Sequence, residues 1–142
     1  MPQPLKVLIA EDNPADAELL VRELRRAGFE PDWKRVDTEE EYLAHLHDGL
    51  DLVLSDYQMP EFSGLRALGL LKQRGLEVPF IIVSGTIGEE TAVAAMKEGA
   101  VDYLIKDRLA RLGPAVSQAL ESRRLHAEHR NLEEQFRQAQ KM

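Results

Sequence analysis

Asp51-Leu52-Val53-Leu54-Ser55-Asp56-Tyr57-Gln58-Met59-Pro60 carries a short apolar run into an acid and then into a turn. A continuous apolar run of this length fits a strand buried on both faces of a sheet. Three other segments repeat the arrangement. Glu11-Asp12 follows Val7-Leu8-Ile9-Ala10, Ser84 follows Phe80-Ile81-Ile82-Val83, and Lys106 follows Val101-Asp102-Tyr103-Leu104-Ile105. With the strands parallel in one sheet, three carboxylates, a hydroxyl and an ammonium meet at its carboxyl edge, where open α/β sheets bind ligands. Neighbouring acids suit a hard cation. A hydroxyl and a lysine suit a phosphoryl group.

Outward from this stretch, strand and helix alternate. Residues 5–10 are apolar apart from Lys6, and Asp12-Asn13-Pro14 reads as a helix cap with proline in the first turn. Ala17, Leu20, Val21, Leu24 and Ala27 follow at helical spacing as far as Gly28. Residues 31–36 make a weaker, more polar strand suited to an edge. Asp37 or Thr38 caps a short helix bearing Tyr42, Leu43 and Leu46, closed by Gly49. The central strand covers 50–55, and Ser63-Gly64 starts a helix with Leu65, Leu68 and Leu71 that Gly75 ends. A fourth strand at 78–83 has Pro79 at its entry, where proline is tolerated. A loop at 84–88, a helix at 89–98 ending at Gly99, and a strand at 101–105 follow. Leu109, Leu112, Val116 and Leu120 begin the last helix, and Pro114 sets its regular start a residue or two after Leu109. Five strands alternating with five helices predict an α/β doubly wound sheet with helices on both faces.

Bulk properties narrow the function. The 142 residues suit one domain, and 44% hydrophobic content suits a globular one. No cysteine is present, so disulfides and thiolate metal sites are excluded. No apolar stretch could span a bilayer. Residues 1–6 lack a signal-peptide pattern, so the expected location is the cytoplasm and no membrane partner is expected. A net charge of −7 opposes direct nucleic-acid binding, and Arg22, Arg25, Arg26 and Lys34 do not outweigh it.

Glu11-Asp12, Asp56 with Met59-Pro60 and Gly64 after it, Ser84-Gly85, and Asp102-Tyr103-Leu104-Ile105-Lys106 together resemble the motifs of response-regulator receiver domains. The resemblance covers about residues 5–122 and the motifs stand in the family's order. It implies a flavodoxin-like five-stranded parallel sheet of order 2-1-3-4-5. It also implies that Asp56 accepts a phosphoryl group from a phosphohistidine on a sensor histidine kinase or phosphotransfer protein. Such a chain is a signalling phosphoacceptor that promotes its own phosphotransfer and dephosphorylation.

A carboxylate is a competent phosphoryl acceptor, needing in-line access and charge neutralisation more than a strong base. Crowded carboxylates repel one another, and Mg²⁺ relieves that. Asp12 and Asp56 are assigned as direct ligands and Glu11 as one acting through water. By family analogy the backbone carbonyl of Gln58 joins them. Lys106 would hold a phosphoryl oxygen, and Ser84 would move to bond it. By the same analogy Tyr103 would fill the space that Ser84 leaves, giving a two-state switch. A solvated face is the simpler reading of His126 and His129, although their spacing could bind a metal.

One departure from the family stands beside the site: Asp107 follows Lys106 where receivers usually have proline. A cis bond without proline costs roughly 3 kcal/mol, so a trans bond is expected. The segment Lys106-Asp107-Arg108-Leu109-Ala110-Arg111-Leu112 resembles receivers that precede sensory or kinase modules. A dehalogenase-type phosphatase is a rival reading, but it would place a second Asp where Gln58 stands. A degenerate receiver is another, opposed by the intact acids, hydroxyl and lysine. A nucleotide-binding flavodoxin-like domain is a third, but no glycine-rich phosphate loop follows the first strand.

Residues 1–122 are therefore assigned to the receiver and 123–142 to a helical extension or linker. Leu125, Leu132, Phe136 and Ala139 recur there near a heptad seam that His129 interrupts. That stripe suits a homodimer or a relay to a downstream protein or attached signalling domain. The bland alternative is a frayed monomeric tail.

Overall fold

Side chains alternate across a strand, so each apolar strand here feeds two cores at once. The computed structural model describes residues 2–85 and 88–140. Its elements are β1 (Gln3–Ala10), α1 (Pro14–Arg26), β2 (Phe29–Val36), α2 (Glu39–His45), β3 (Leu52–Ser55), α3 (Gly64–Gln73), β4 (Phe80–Ser84), α4 (Glu89–Glu98), β5 (Asp102–Ile105), a 3₁₀ segment (Lys106–Arg111) and α5 (Leu112–Gln140). The strands form one parallel sheet of order β2-β1-β3-β4-β5. On one face Leu8, Val53, Phe80 and Ile82 pack with Tyr42 of α2, Leu68 and Leu71 of α3 and Ala95 of α4. On the other Val7, Ile9, Leu54, Ile81 and Leu104 pack with Leu20 and Leu24 of α1 and Val116 of α5. This is the doubly wound fold that the alternating pattern predicts.

Local chemistry sets the helix starts. Asn13 Oδ1 accepts from Ala15 N at 2.9 Å, so Asn13 rather than Asp12 caps α1. Thr38 caps α2 through Glu41 N at 3.2 Å, and Ser63 caps α3 through Arg66 N at 3.1 Å. Each cap satisfies an amide that the first helical turn leaves without a partner. Leu46 falls at the C-cap of α2 rather than inside it.

Strand ends differ from the pattern-based limits. β1 and β2 start two residues early, because the parallel ladder extends to Gln3 opposite Phe29 and Gln3 N donates to Gly28 O at 2.9 Å. β3 and β4 start two residues late, leaving Leu50 and Val78 buried but outside the ladder. β4 reaches Ser84, one residue beyond the expected end, and β5 starts at Asp102. The last α-helix starts at Leu112, three residues after Leu109, which lies in the 3₁₀ segment. Arg108, at φ −134° and ψ 58°, interrupts helical geometry there. The described peptide bonds are trans, as expected for Lys106–Asp107. Of the loop at 84–88, Thr86 and Ile87 lie outside the described residues.

α5 has 29 residues and runs unbroken past Ser122 and Arg123. Its buried side chains end at Ala119. Arg123 Nη1 still donates to Leu50 O at 2.8 Å, and Arg130 pairs with Glu77 at 2.6 Å. Leu125, Leu132 and Phe136 are 51%, 65% and 67% exposed. Among the described residues no helix is long and apolar enough to cross a membrane.

Candidate functional site

Parallel registry brings the ends of four strands to one edge. Ala10 pairs with Ser55, Ser55 with Ile82, and Ser84 with Ile105. The ladder continues one bond further. Asp56 N donates to Ala10 O at 2.9 Å, and Glu11 N donates to Val36 O at 2.9 Å. These bonds fix the main chain of both acids before any side chain is placed.

α3 braces Asp56 from behind. Gly64 N donates to Tyr57 O at 2.8 Å, and Gln58 bridges Ser63 across the intervening turn. A Cβ on Gly64 would stand 2.5 Å from the carbonyl oxygen of Asp56, closer than real Cβ contacts allow. Only glycine permits that approach. Asp56 Oδ1 accepts from Tyr57 N at 2.7 Å, which leaves Oδ2 toward Lys106.

Lys106 is the hub of the cluster. Its Nζ donates to Glu11 Oε1 at 2.5 Å, to Asp16 Oδ2 at 2.8 Å and to Asp56 Oδ2 at 3.2 Å. Side-chain exposure is 19% for Lys106, 1% for Glu11, 14% for Asp56 and 30% for Asp16. Burial pushes the Glu11 carboxyl up to about 8. Proximity to the Asp56 carboxylate adds to that, and Lys106 opposes it. Burial works against the Lys106 ammonium, but Asp16, Glu11 and Asp56 outweigh it and hold the group above the ordinary lysine range. The bond from Lys106 holds the Asp16 carboxyl below its usual range.

One ligand oxygen from each of Glu11, Asp12 and Asp56 lies within 4.8 Å of the others. Among the described residues Glu11 Oε2 is buried without a hydrogen-bond partner. An orphaned carboxylate oxygen in such a group is a fitting place for a hard cation or its water. The donor set is all oxygen, which suits Mg²⁺.

Glu11, Asp12, Asp56 and Lys106 thus converge as the strand ends imply. Ser84 is buried at the last position of β4 on the same edge. Tyr103 lies in β5, half-buried against the core shared with α3 and α4, and its N–H donates to Asp102 Oδ1 at 2.8 Å. Gln58 is exposed in the turn after β3. His129 pairs with Glu133 along α5 at 2.9 Å rather than with His126. The reading of strand ends overlooks Asp16, which sits on a helix. Its spacing of four from Asp12, one turn along a helix that starts at the site, is the signal that could have found it.

The sequence and the fold are similar to those of known proteins. The family model described as the response regulator receiver domain matches residues 7–116. The response regulator protein FleR of Pseudomonas aeruginosa is 37% identical over 102 residues, covering 71% of this chain and 21% of FleR. The chain spans between about a fifth and under half of the length of the first curated relatives it matches. A receiver domain structure from Clostridium thermocellum superposes with a TM-score of 0.74 at 26% identity, covering 85% of this chain and 98% of that one. NtrX from Brucella abortus superposes with a TM-score of 0.77 at 28% identity, covering 93% of this chain and 30% of that one. The sheet order, the acids at its carboxyl edge and the matched span agree, and the chain belongs to the response-regulator receiver domains of two-component signalling.

Proposed function

We propose that Asp56 is the phosphoacceptor of this receiver. The observation that supports it most directly is the Lys106 ammonium held 3.2 Å from Asp56 Oδ2, beside acids that can hold a cation. Oδ1 is engaged by a 2.7 Å main-chain bond, so Oδ2, with the weaker contact, is the attacking atom. Oδ2 forms a bond to phosphorus as the donor's P–N bond breaks. The electron pair returns to the imidazole nitrogen, which then takes a proton. The Lys106 N–H passes from Oδ2 to a phosphoryl oxygen. In dephosphorylation water attacks phosphorus, the P–O bond breaks, and the Asp56 carboxylate and inorganic phosphate result.

Mg²⁺ would be held by Asp12 and Asp56 directly, by Glu11 through water and by the carbonyl of Gln58. When bound, it neutralises charge on the transferring phosphoryl group. Ser84 would bond a phosphoryl oxygen, and Tyr103 would repack in response, which makes β4 and β5 the two-state element. A sensor histidine kinase or phosphotransfer protein in the cytoplasm is the donor in this reading. Residues 1–122 act as the receiver, and 123–142 pass its state to a downstream protein or attached domain, or pair two copies. The test is intact-mass measurement of the full chain after incubation with acetyl phosphate and Mg²⁺. An acid-labile gain of one phosphoryl group that disappears in Asp56→Asn is the expected result. Equal labelling of the variant would reject Asp56.

A further inference from the structure

The three donors of Lys106 are all committed, and one goes to an acid outside the cation cluster. An ammonium has three N–H groups. Here they meet Glu11, Asp16 and Asp56, each from a different segment of the fold. Asp16 comes from the first turn of α1 and is not among the three acids whose oxygens lie within 4.8 Å of one another. It is also more exposed than the other two partners of the lysine, at 30% against 1% and 14%. Water can therefore replace its bond, whereas the buried Glu11 oxygen has no such substitute.

We propose that Asp16 is a positioning residue that restrains Lys106, taking the N–H that would otherwise meet a phosphoryl oxygen and thereby slowing phosphorylation of Asp56. The proposal rests on the reading of Asp56 as phosphoacceptor. The bond to Asp16 is shorter than the bond to Asp56, so the lysine is drawn toward α1 in the resting site. Asp16 also adds a negative charge that opposes an approaching phosphoryl donor. Lowered proton affinity of Asp16 accords with this pairing, since the lysine keeps it ionised. When phosphoryl arrives, the exposed bond to Asp16 is given up along with the one to Oδ2. The lysine then holds Glu11 and two oxygens at the modified Asp56.

The full chain with Mg²⁺ carries the test. Asp16→Asn keeps the size of the side chain and removes the charge. Its initial labelling rate with acetyl phosphate, and its affinity for beryllofluoride followed by amide NMR, are each expected to rise about three- to tenfold. Asp16→Glu should restore rates near those of the parent, which a merely structural role for the site would not predict. In the metal-free protein the Lys106 ammonium signal in ¹⁵N NMR should exchange faster with water in Asp16→Asn than in the parent or Asp16→Glu. Asp16→Ala, which favours the helix, gives a second reading should the amide disturb α1. Unchanged or slower labelling in both neutral variants, with Asp56→Asn still silent, overturns the restraint alone. Labelling that persists in Asp56→Asn overturns the phosphoacceptor and the restraint together.

Discussion

A methyl group on Gly64 would press on the main chain that carries Asp56, and neither partner is a side chain able to swing aside. Gly64→Ala is therefore expected to cost about 1–3 kcal/mol of stability, as overpacking does. It should also slow labelling of Asp56, because relief comes by moving the acid. Urea unfolding and intact mass together check this, and a variant unaltered in both would mean that α3 sits less tightly than described. Tyr42 offers a second test at this scale. It is fully buried, and its hydroxyl donates to Ala67 O at 2.7 Å. Burial raises its proton affinity above the ordinary tyrosine value near 10, against a weaker opposing effect of Arg74. The folded chain then keeps its proton where the unfolded chain loses it. This contribution to stability is complete below about pH 10 and is lost as pH rises beyond it. Tyr42→Phe should lose about 1 kcal/mol at neutral pH. It should also flatten the stability decline between pH 9 and 11, measured by urea melts. At this scale much of the site was legible. Glu11, Asp12, Asp56 and Lys106 each end an apolar run, and that pattern survives translation into space. Asp16 was hidden because an acid in a first helical turn already has an explanation in the helix dipole.

Elements reveal why limits were harder to read than existence. Composition marks where a strand is buried, but hydrogen bonding decides where it ends. Gln3 and Phe29 join the ladder through their main chains, while buried Leu50 and Val78 do not. Leu109 fits the helical spacing of α5, yet the chain is still turning out of β5 there, and Arg108 breaks the helix. No side-chain pattern records that turn. Asn13 illustrates an element secured by one bond next to the site. Asn13→Ala should destabilise the protein by about 1 kcal/mol. It should also loosen the first turn of α1, seen as faster amide exchange at Ala15 to Ala17. Unchanged exchange there would mean that Pro14 alone suffices to start the helix. The stripe of Leu125, Leu132 and Phe136 behaves differently because it is exposed. Replacing all three with serine should change monomer stability by less than about 0.5 kcal/mol per site. A self-associating parent would lose its dimer in sedimentation, and a monomeric parent would show no change.

For the whole molecule, the crowding of acids at one edge would couple folding to the proposed cation binding. A ligand that binds only the folded chain stabilises it by about 2.7 kcal/mol at a hundredfold excess over its dissociation constant. The thermal midpoint should therefore climb with Mg²⁺, and Asp12→Ala should blunt the rise more than Glu11→Ala. Equal responses in both variants would argue against Asp12 as the direct ligand. The long last helix gives the molecule a different kind of asymmetry. Arg123 and Arg130 tether α5 to the main chain at Leu50 and to Glu77, and among the described residues no hydrogen bond or ion pair to the body lies beyond them. The ten residues beyond Arg130, as far as Gln140, project about 15 Å at 1.5 Å per residue. A lever magnifies rotation at its fulcrum. Breaking the Arg130–Glu77 link would move that fulcrum back to Arg123 and lengthen the free arm to about 26 Å. A tilt of about 10° would then carry the tip roughly 4.5 Å, close to the rise of one helical turn. In the proposed relay, that ion pair would set the gearing between a small motion in the sheet and the stroke at Gln140.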